Sequence, residues 1–226
     1  MPPAYHFRVS HLRNSEPMSS KALTNLVRKG NVKKFHRAVQ QHEEEHGELP
    51  SLEMASFSGV ELSGFDFTGI DLSNVAFEEC TLTECRFDEC PLDGVYMHSC
   101  TLLNCHFEGA KGNGFAIDAC TLSRCEFEDC SFEMPEWTDS QLNDCTLKNL
   151  SGSDFFFERM TFKGGHWSNV NAESGELRYV TLREMSIEGV DLTGCDAASC
   201  YLKGVEMTDT ELPEGFVEKT GRRRVI

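Results

Sequence analysis

Two groups of residues in this chain have the type and spacing to do chemistry. The first is His42-Glu43-Glu44-Glu45-His46. Two histidines at i and i+4 on a helix can hold zinc while the intervening glutamate acts as a base, the metalloprotease pattern. The surroundings disfavour it. Glu44 and Glu45 put charge where a buried zinc helix needs compatible neighbours, and Gly47 ends the helix at once. A 50-residue segment also leaves little room for a third ligand and a substrate cleft. The pattern is expected to be an acidic helix end.

The second group is the eleven cysteines. Their separations are all five or multiples of five, so there is no CxxC of a zinc ribbon or thioredoxin-type site. Cys85, Cys105, Cys125 and Cys145 fall in one series and Cys80, Cys100 and Cys120 in another. Reduced thiols acting as small apolar fillers are the favoured reading, with a reducing cytosol as the compartment. Disulfides running along a column are the rival, hampered by the torsion that parallel side chains impose. Buried thiols are poor nucleophiles. His98, His106 and His166 point outward with no evident nucleophile or carboxylate partner. Phosphate-binding, nucleophile-elbow and dinucleotide-binding glycine motifs are absent. No enzyme, cofactor or metal is implied.

The element that positions these residues is a five-residue period. Starting at Leu52 and stepping by five reaches Phe57, Leu62, Phe67, Leu72, Phe77 and so on to Leu212 without a slip. Of these 33 positions 31 are apolar, counting Ala172 and Ala197; Gly112 and Gly152 are the exceptions. A smaller set, including Val75, Cys80, Cys85 and Cys90, stands two residues before each and holds every cysteine. Neither a helix nor an ordinary strand has this period. Units this short can bury their apolar residues only by stacking, so the chain is a solenoid. Like residues recur every 20 positions, as in Leu62, Leu82, Leu102 and Leu122 or Phe67, Phe87, Phe107 and Phe127. Four units therefore make one coil of a roughly square section, and about eight coils stack to a rod of roughly 40 Å.

The units Phe77-Glu78-Glu79-Cys80-Thr81, Leu82-Thr83-Glu84-Cys85-Arg86 and Leu192-Thr193-Gly194-Cys195-Asp196 resemble the pentapeptide-repeat family. The resemblance covers residues 52 to 212 and implies an all-β solenoid, a right-handed quadrilateral β-helix. The expected organisation is a leader and helical cap over 1–50, the β-helix over 51–212, and a lid with a basic tail over 213–226.

Charge divides along the same lines. Residues 1–50 carry a net +3, residues 52–212 a net −21, and residues 213–226 a net +2. The period assigns the −21 to faces. The face centred on Phe67 and Phe87 carries −8, that on Leu72 and Leu92 −7, and that on Phe77 and Met97 −6. The Leu82 and Leu102 face is neutral and bears Thr81, Thr101, Thr121, Thr161 and Thr181, with Lys163, Arg183 and Lys203 toward its C-terminal end. Acidic faces keep a solenoid soluble, and they also suit competition for a basic nucleic-acid groove. Direct binding of nucleic acid by the rod is disfavoured, because phosphate is repelled. The neutral face is the flatter packing surface, for a protein partner or for a second copy in a homodimer. Tyr96, Phe156 and Tyr179 are outward aromatics of the Phe77 face and suit a contact site.

At the ends, Ser20 to His46 reads as helix, with Leu23, Leu26 and Val27 on one face and Val32, Phe35, Ala38 and Val39 on another. Ser20 and Asn31 are expected N-caps. This segment would cap the first coil. Its outward Lys21, Arg28, Lys29, Lys33, Lys34 and Arg37 read as a solvated face. Phe216 and Val217 are expected to lid the last coil. Met1 to Ser20 has no signal-peptide core and no segment is long and apolar enough for a membrane helix, so a cytoplasmic location is expected.

Some members of the family that the units resemble act as DNA mimics on DNA gyrase and confer resistance to quinolones or peptide toxins. By that resemblance the leading expectation is a non-enzymatic protein-binding rod of this kind, with Glu126, Glu128 and Asp129 on its most acidic face. The alternatives are a secreted bacterial effector, with the first residues as its export signal, or a scaffolding module. Quinolone-resistance members carry loops that project from the coils; the register from 52 to 212 leaves no room for one.

Overall fold

The computed structural model describes residues 19–218. Most five-residue units form a short strand and a corner, and the rest make the same turn without a full strand. In Ala76–Glu78 the central Phe77 is buried while its neighbours face out, the alternation of a strand. The next residue turns the corner in the left-handed region: Glu79, Glu84 and Glu89 have φ of 54, 54 and 56°. An L side chain there costs roughly 1–2 kcal/mol. Inter-coil bonding offsets the cost, since the Glu79 amide donates to the His98 carbonyl at 2.9 Å and the Glu84 amide to that of Leu103 at 2.8 Å. The fifth residue, here Cys80, then points inward.

Strands stack in parallel into four sheets with a 20-residue step. The first contains Phe57↔Phe77 and Phe77↔Met97, and the second Leu62↔Leu82 and Leu82↔Leu102. The third contains Phe107↔Phe127, with Asp66↔Arg86 and Arg86↔His106 bridging before it. The fourth contains Gly112↔Phe132 and Phe132↔Gly152. The chain visits the sheets in this order, so the first lies opposite the third and the second opposite the fourth. The right number of units per coil was therefore legible in the 20-residue recurrence.

Rings stack along the interior. Phe67, Phe87, Phe107 and Phe127 follow one another at 5.3, 4.7 and 4.5 Å, and Trp137 stacks on Phe157 at 5.1 Å. All eleven cysteines are free and buried. Parallel side chains in register do not bring two sulfurs to bonding distance, which removes the disulfide alternative. Burial pushes the Cys130 thiol up to about 12 and that of Cys195 to about 11. Cys85 and Cys120 depart from this rise: the neighbouring thiols of Cys105 and Cys100 hold them below the usual thiol value.

Gly112 and Gly152 break the run of large centres for a steric reason. In each coil concerned the large residue has moved to the neighbouring inward position, as Phe115 and Phe155, both buried. Phe132 stands between the two glycines, its ring 5.1 Å from that of Phe115.

The N-terminal end is covered by α1 (Ser20–Arg28) and α2 (Val32–His46). Ser19, not Ser20, is the N-cap of α1, accepting from the Ala22 amide at 3.3 Å; Asn31 caps α2 as expected. Leu23, Val27, Phe35 and Ala38 are buried, with Phe35 5.2 Å from Phe65 and 5.3 Å from Phe67. Arg28 is not simply solvated, since it donates to the Ser56 carbonyl at 2.8 Å. The Asp66 amide donates to His36 Nε2 at 2.9 Å.

The other end differs from a plain continuation. Phe216–Glu218 forms a last strand on the second sheet, with Tyr201↔Val217 a step of 16 rather than 20. The chain around Pro213 cuts across one side of the square. Phe216 packs partly against the core, whereas Val217 is 58% exposed. Met207, an inward position by the period, is 51% exposed because none of the described residues stacks over it. No helix among the described residues is long and apolar enough to cross a membrane. The proposed export signal in the first residues and the basic tail Arg222-Arg223-Arg224 lie outside the described residues.

Candidate functional site

The expected contact residues occupy three different sides of the rod. Tyr96, Phe156 and Tyr179 lie on the first sheet, where Tyr96 is 38% and Tyr179 56% exposed. Phe156 points outward as the period requires but is half-buried. Tyr96 and Phe156 share a shallow dish of about 380 Å³ with Ala116, Asp118, Glu136 and Arg159. Tyr179 lies in the next depression along the same face, of about 330 Å³, with Glu158, Arg178 and Ala198.

Asp118 ties this face together. It accepts from Thr138 Oγ1 at 2.7 Å, meets His98 Nδ1 at 2.7 Å, and accepts from the Tyr96 hydroxyl at 3.3 Å. The Thr138 bond and the His98 contact hold its carboxyl below the ordinary value against the opposing effect of burial. Arg159 bridges both Asp139 and Glu158 at 2.5 Å, one cation between two carboxylates, and with Glu136 the dish keeps a surplus of negative charge.

Glu126, Glu128 and Asp129 stand on the third sheet, opposite the aromatics. Glu126 and Asp129 are exposed and Glu128 is half-buried. Glu128 is ion-paired with Lys148, and Asp129 accepts from Asn149 at 2.7 Å. Lys163, Arg183 and Lys203 are in register on the second sheet, one per coil, with Arg183 also 3.2 Å from Glu184. This stack of like charges sits on the sheet whose flat outer side bears the threonine column.

Two of the three outward histidines, His98 and His106, do meet carboxylates, which corrects the reading for them, whereas His166 Nδ1 lies 2.8 Å from the Ser186 hydroxyl. His98 contacts Asp118, and His106 Nδ1 lies 2.7 Å from Asp88 Oδ1. These residues are 20 and 18 apart, so only the coil spacing brings them together. Asp88 is 4% exposed although it stands at an outward position, because Arg86 and His106 fold over it. Burial works to raise its pKa, but the Glu108 amide at 2.9 Å, His106 and ion-paired Arg86 hold it below the ordinary carboxylate value. The other nitrogen of His106 faces Glu126 Oε2 at 3.3 Å, a second carboxylate and not a nucleophile.

Asp88, His106 and Glu108 present ligand atoms within 4.8 Å of one another, as a metal site would. Arg86 already supplies the cation that Asp88 needs. The cluster is thus an ion-pair network around one buried carboxylate, Asp88. Removing its centre by Asp88→Ala leaves His106 and the Glu108 amide without their acceptor and is expected to cost about 1–3 kcal/mol. A carboxyl with a depressed folded value contributes stability above its unfolded value of about 3.9 and loses it as the pH falls through the folded one. The gap between parent and variant in urea unfolding should therefore be full at pH 7 and shrink at pH 3. An equal gap at both would remove the ionic account.

The rings of His42 and His46 lie 4.6 Å apart and tilted on α2, with His42 buried, and Gly47 ends the helix in the left-handed region at φ 75°. Among the described residues the three-ligand cluster is the Asp88 group, not one that includes these histidines.

Two family models match the chain: "pentapeptide repeats (8 copies)" over residues 55–90 and "pentapeptide repeat region" over 80–157. No curated protein matches it. Among solved structures the chain is similar to a trypsin-treated form of QnrB1, described as a plasmid-mediated fluoroquinolone resistance protein. The identity is 17% over 74% of this chain and 84% of that one, with a TM-score of 0.46. It is also similar to HetL, a pentapeptide repeat protein involved in heterocyst differentiation regulation from the cyanobacterium Nostoc sp. Here the identity is 12% over 72% of this chain and 87% of that one, with a TM-score of 0.29. With its unbroken five-residue units, their four-sided stacking and the two matching family models, the chain belongs to the pentapeptide-repeat family.

Proposed function

We propose that this chain is a protein-binding acidic rod that mimics duplex DNA and occupies the DNA-binding surface of DNA gyrase or a related topoisomerase. One observation carries the reading, the density of charge along the axis. The net −21 of residues 52–212 is spread over about eight coils. At about 4.8 Å per coil that is about one net negative charge per 2 Å, close to the one per about 1.7 Å of duplex DNA. The charge is presented on three sides, −8, −7 and −6, and fixed side chains on a stacked rod hold it without the ordering cost of a flexible acidic tail. A groove built for phosphate would be met by such a surface, and association would be steered by the field and weakened by salt. The role is binding and not catalysis, and a cytoplasmic location fits it.

The test is a gyrase supercoiling assay with purified protein, with and without a quinolone. Dose-dependent inhibition, or rescue from the drug, is expected. The combined change Glu126→Lys, Glu128→Lys and Asp129→Lys should weaken the effect at least tenfold, and raising the salt should do the same to the parent. Absence of any effect at micromolar protein would dismiss the gyrase reading and direct attention to the Tyr96–Phe156 dish and the threonine column.

A further inference from the structure

The cysteines are not scattered through the core. Seven of the eleven form two unbroken columns, Cys80–Cys100–Cys120 and Cys85–Cys105–Cys125–Cys145, with one rung in each coil. The remaining four have no cysteine one coil away. Ala110 separates Cys90 from Cys130, while Gly175 precedes Cys195 and Val180 precedes Cys200 in their columns.

Within a column the side chains repeat one orientation. In the first, the sulfurs of Cys80, Cys100 and Cys120 lie 3.4, 3.3 and 3.4 Å from the carbonyls of Phe57, Phe77 and Met97. They also lie 3.3, 3.3 and 3.2 Å from the carbonyls of Glu78, His98 and Asp118. The second column repeats this pattern: Cys85 and Cys105 reach the carbonyls of Leu62 at 3.7 Å and Leu82 at 3.5 Å. Backbone amides point at the sulfurs one coil on. The Cys80 amide donates to Cys100 Sγ at 3.4 Å, that of Cys100 to Cys120 Sγ at 3.2 Å, and that of Cys125 to Cys145 Sγ at 3.4 Å.

Side chains of one orientation on parallel strands in register are separated by the strand spacing, about 4.8 Å. That is more than twice a disulfide bond of about 2.05 Å, so the columns resist oxidation to disulfides. It is close to twice a metal–thiolate bond of about 2.3 Å. A cation midway between two rungs would meet both sulfurs in line at bonding distance, with no cavity and no backbone movement.

We propose that the two columns bind soft monovalent cations of the Cu(I) and Ag(I) type, each held linearly between the sulfurs of two consecutive cysteines. Thiolate sulfur is the donor that selects such ions. Each ion forms two metal–sulfur bonds and displaces two thiol protons to solvent; no electron changes hands. The site carries one net negative charge, and the amides that point at the sulfurs of Cys100, Cys120 and Cys145 donate to it. With no sulfur shared, the three-rung column takes one ion and the four-rung column two. Ser140 continues the first column with a harder oxygen and ends it, its hydroxyl accepting from the Cys120 amide at 2.8 Å.

The test is an anaerobic titration of the full, reduced chain with Ag(I) alone. Native mass spectrometry counts bound ions, a pH indicator counts released protons, and circular dichroism follows the fold. Three ions per chain, two protons for each and an unchanged β signal are expected. Cys100→Ser interrupts the first column and should lower the count to two. Cys130→Ser, a change of equal size at an isolated cysteine, should leave it at three. Equal counts in these two variants, no uptake by the folded chain, or uptake only as the β signal is lost would each overturn the proposal.

Discussion

Gly152→Leu, the change that would restore the apolar period, is expected to destabilise the protein by about 3 kcal/mol or more, the upper range for overfilling a packed core. A Cβ on Gly152 would stand 1.7 Å from the Phe132 carbonyl oxygen and 2.8 Å from Phe155 Cε1. The first contact is with backbone, so the coils themselves must part. The second exists because Phe155 already fills the space that a large residue at 152 would take. Gly152→Leu combined with Phe155→Ala should recover part of the loss, and a double-mutant cycle would report the coupling. Gly112→Leu should follow in the same direction with a smaller effect, since its Cβ would meet the Leu92 carbonyl oxygen at 2.8 Å. Urea unfolding of the variants is the measurement. A stability for Gly152→Leu within 0.5 kcal/mol of the parent, on the scale of an ordinary surface change, would show that volume is not exchanged between the two inward positions.

Phe35→Ala is expected to cost about 3–5 kcal/mol, the usual range for truncating a fully buried phenylalanine. Phe35 is 0% exposed and joins α2 to Phe65 and Phe67 in the first coils. Where that energy is lost is more informative than its size. In a solenoid each unit touches only its neighbours, so the damage should be local. Native-state hydrogen exchange should quicken at the amides of residues 52–72 and stay at parent rates around Phe107 and Phe127. Acceleration spread evenly along the rod would mean that the helices and the coils unfold as one unit, and would remove the view of α1 and α2 as a local cover.

The fold was legible because the repeat reports it directly. Every inward residue is chosen by the same geometry, so Leu62, Leu82 and Leu102 announce the coil length through their recurrence. The exceptions at Gly112 and Gly152 were visible as exceptions, but their cause was not, because it lies in the exchange of volume with Phe115 and Phe155. The ends were less readable. Met207 obeys the period and is nevertheless exposed, since burial depends on a stacked neighbour that none of the described residues supplies. Val217 falls out of the 20-residue step because the chain near Pro213 takes a shorter way round. The Asp88 network was hidden for another reason. Its contact to His106 joins different columns of neighbouring coils, and each residue alone satisfies the rule for an outward polar position. The period likewise places Tyr96, Phe156 and Tyr179 on one face, while the half-burial of Phe156 depends on the neighbouring coils whose side chains line the same dish.

The corner at every fifth residue also limits how such a molecule can change in length. Loss or gain of a single unit would rotate everything beyond it by a quarter turn, bringing the threonine side into line with an acidic side and interrupting the cysteine columns. A change of 20 residues leaves every side where it was. Over evolutionary time the rod can therefore grow or shrink only in whole storeys if its electrostatic pattern is to survive, whereas single substitutions at solvent-exposed outward positions can redraw that pattern one pixel at a time.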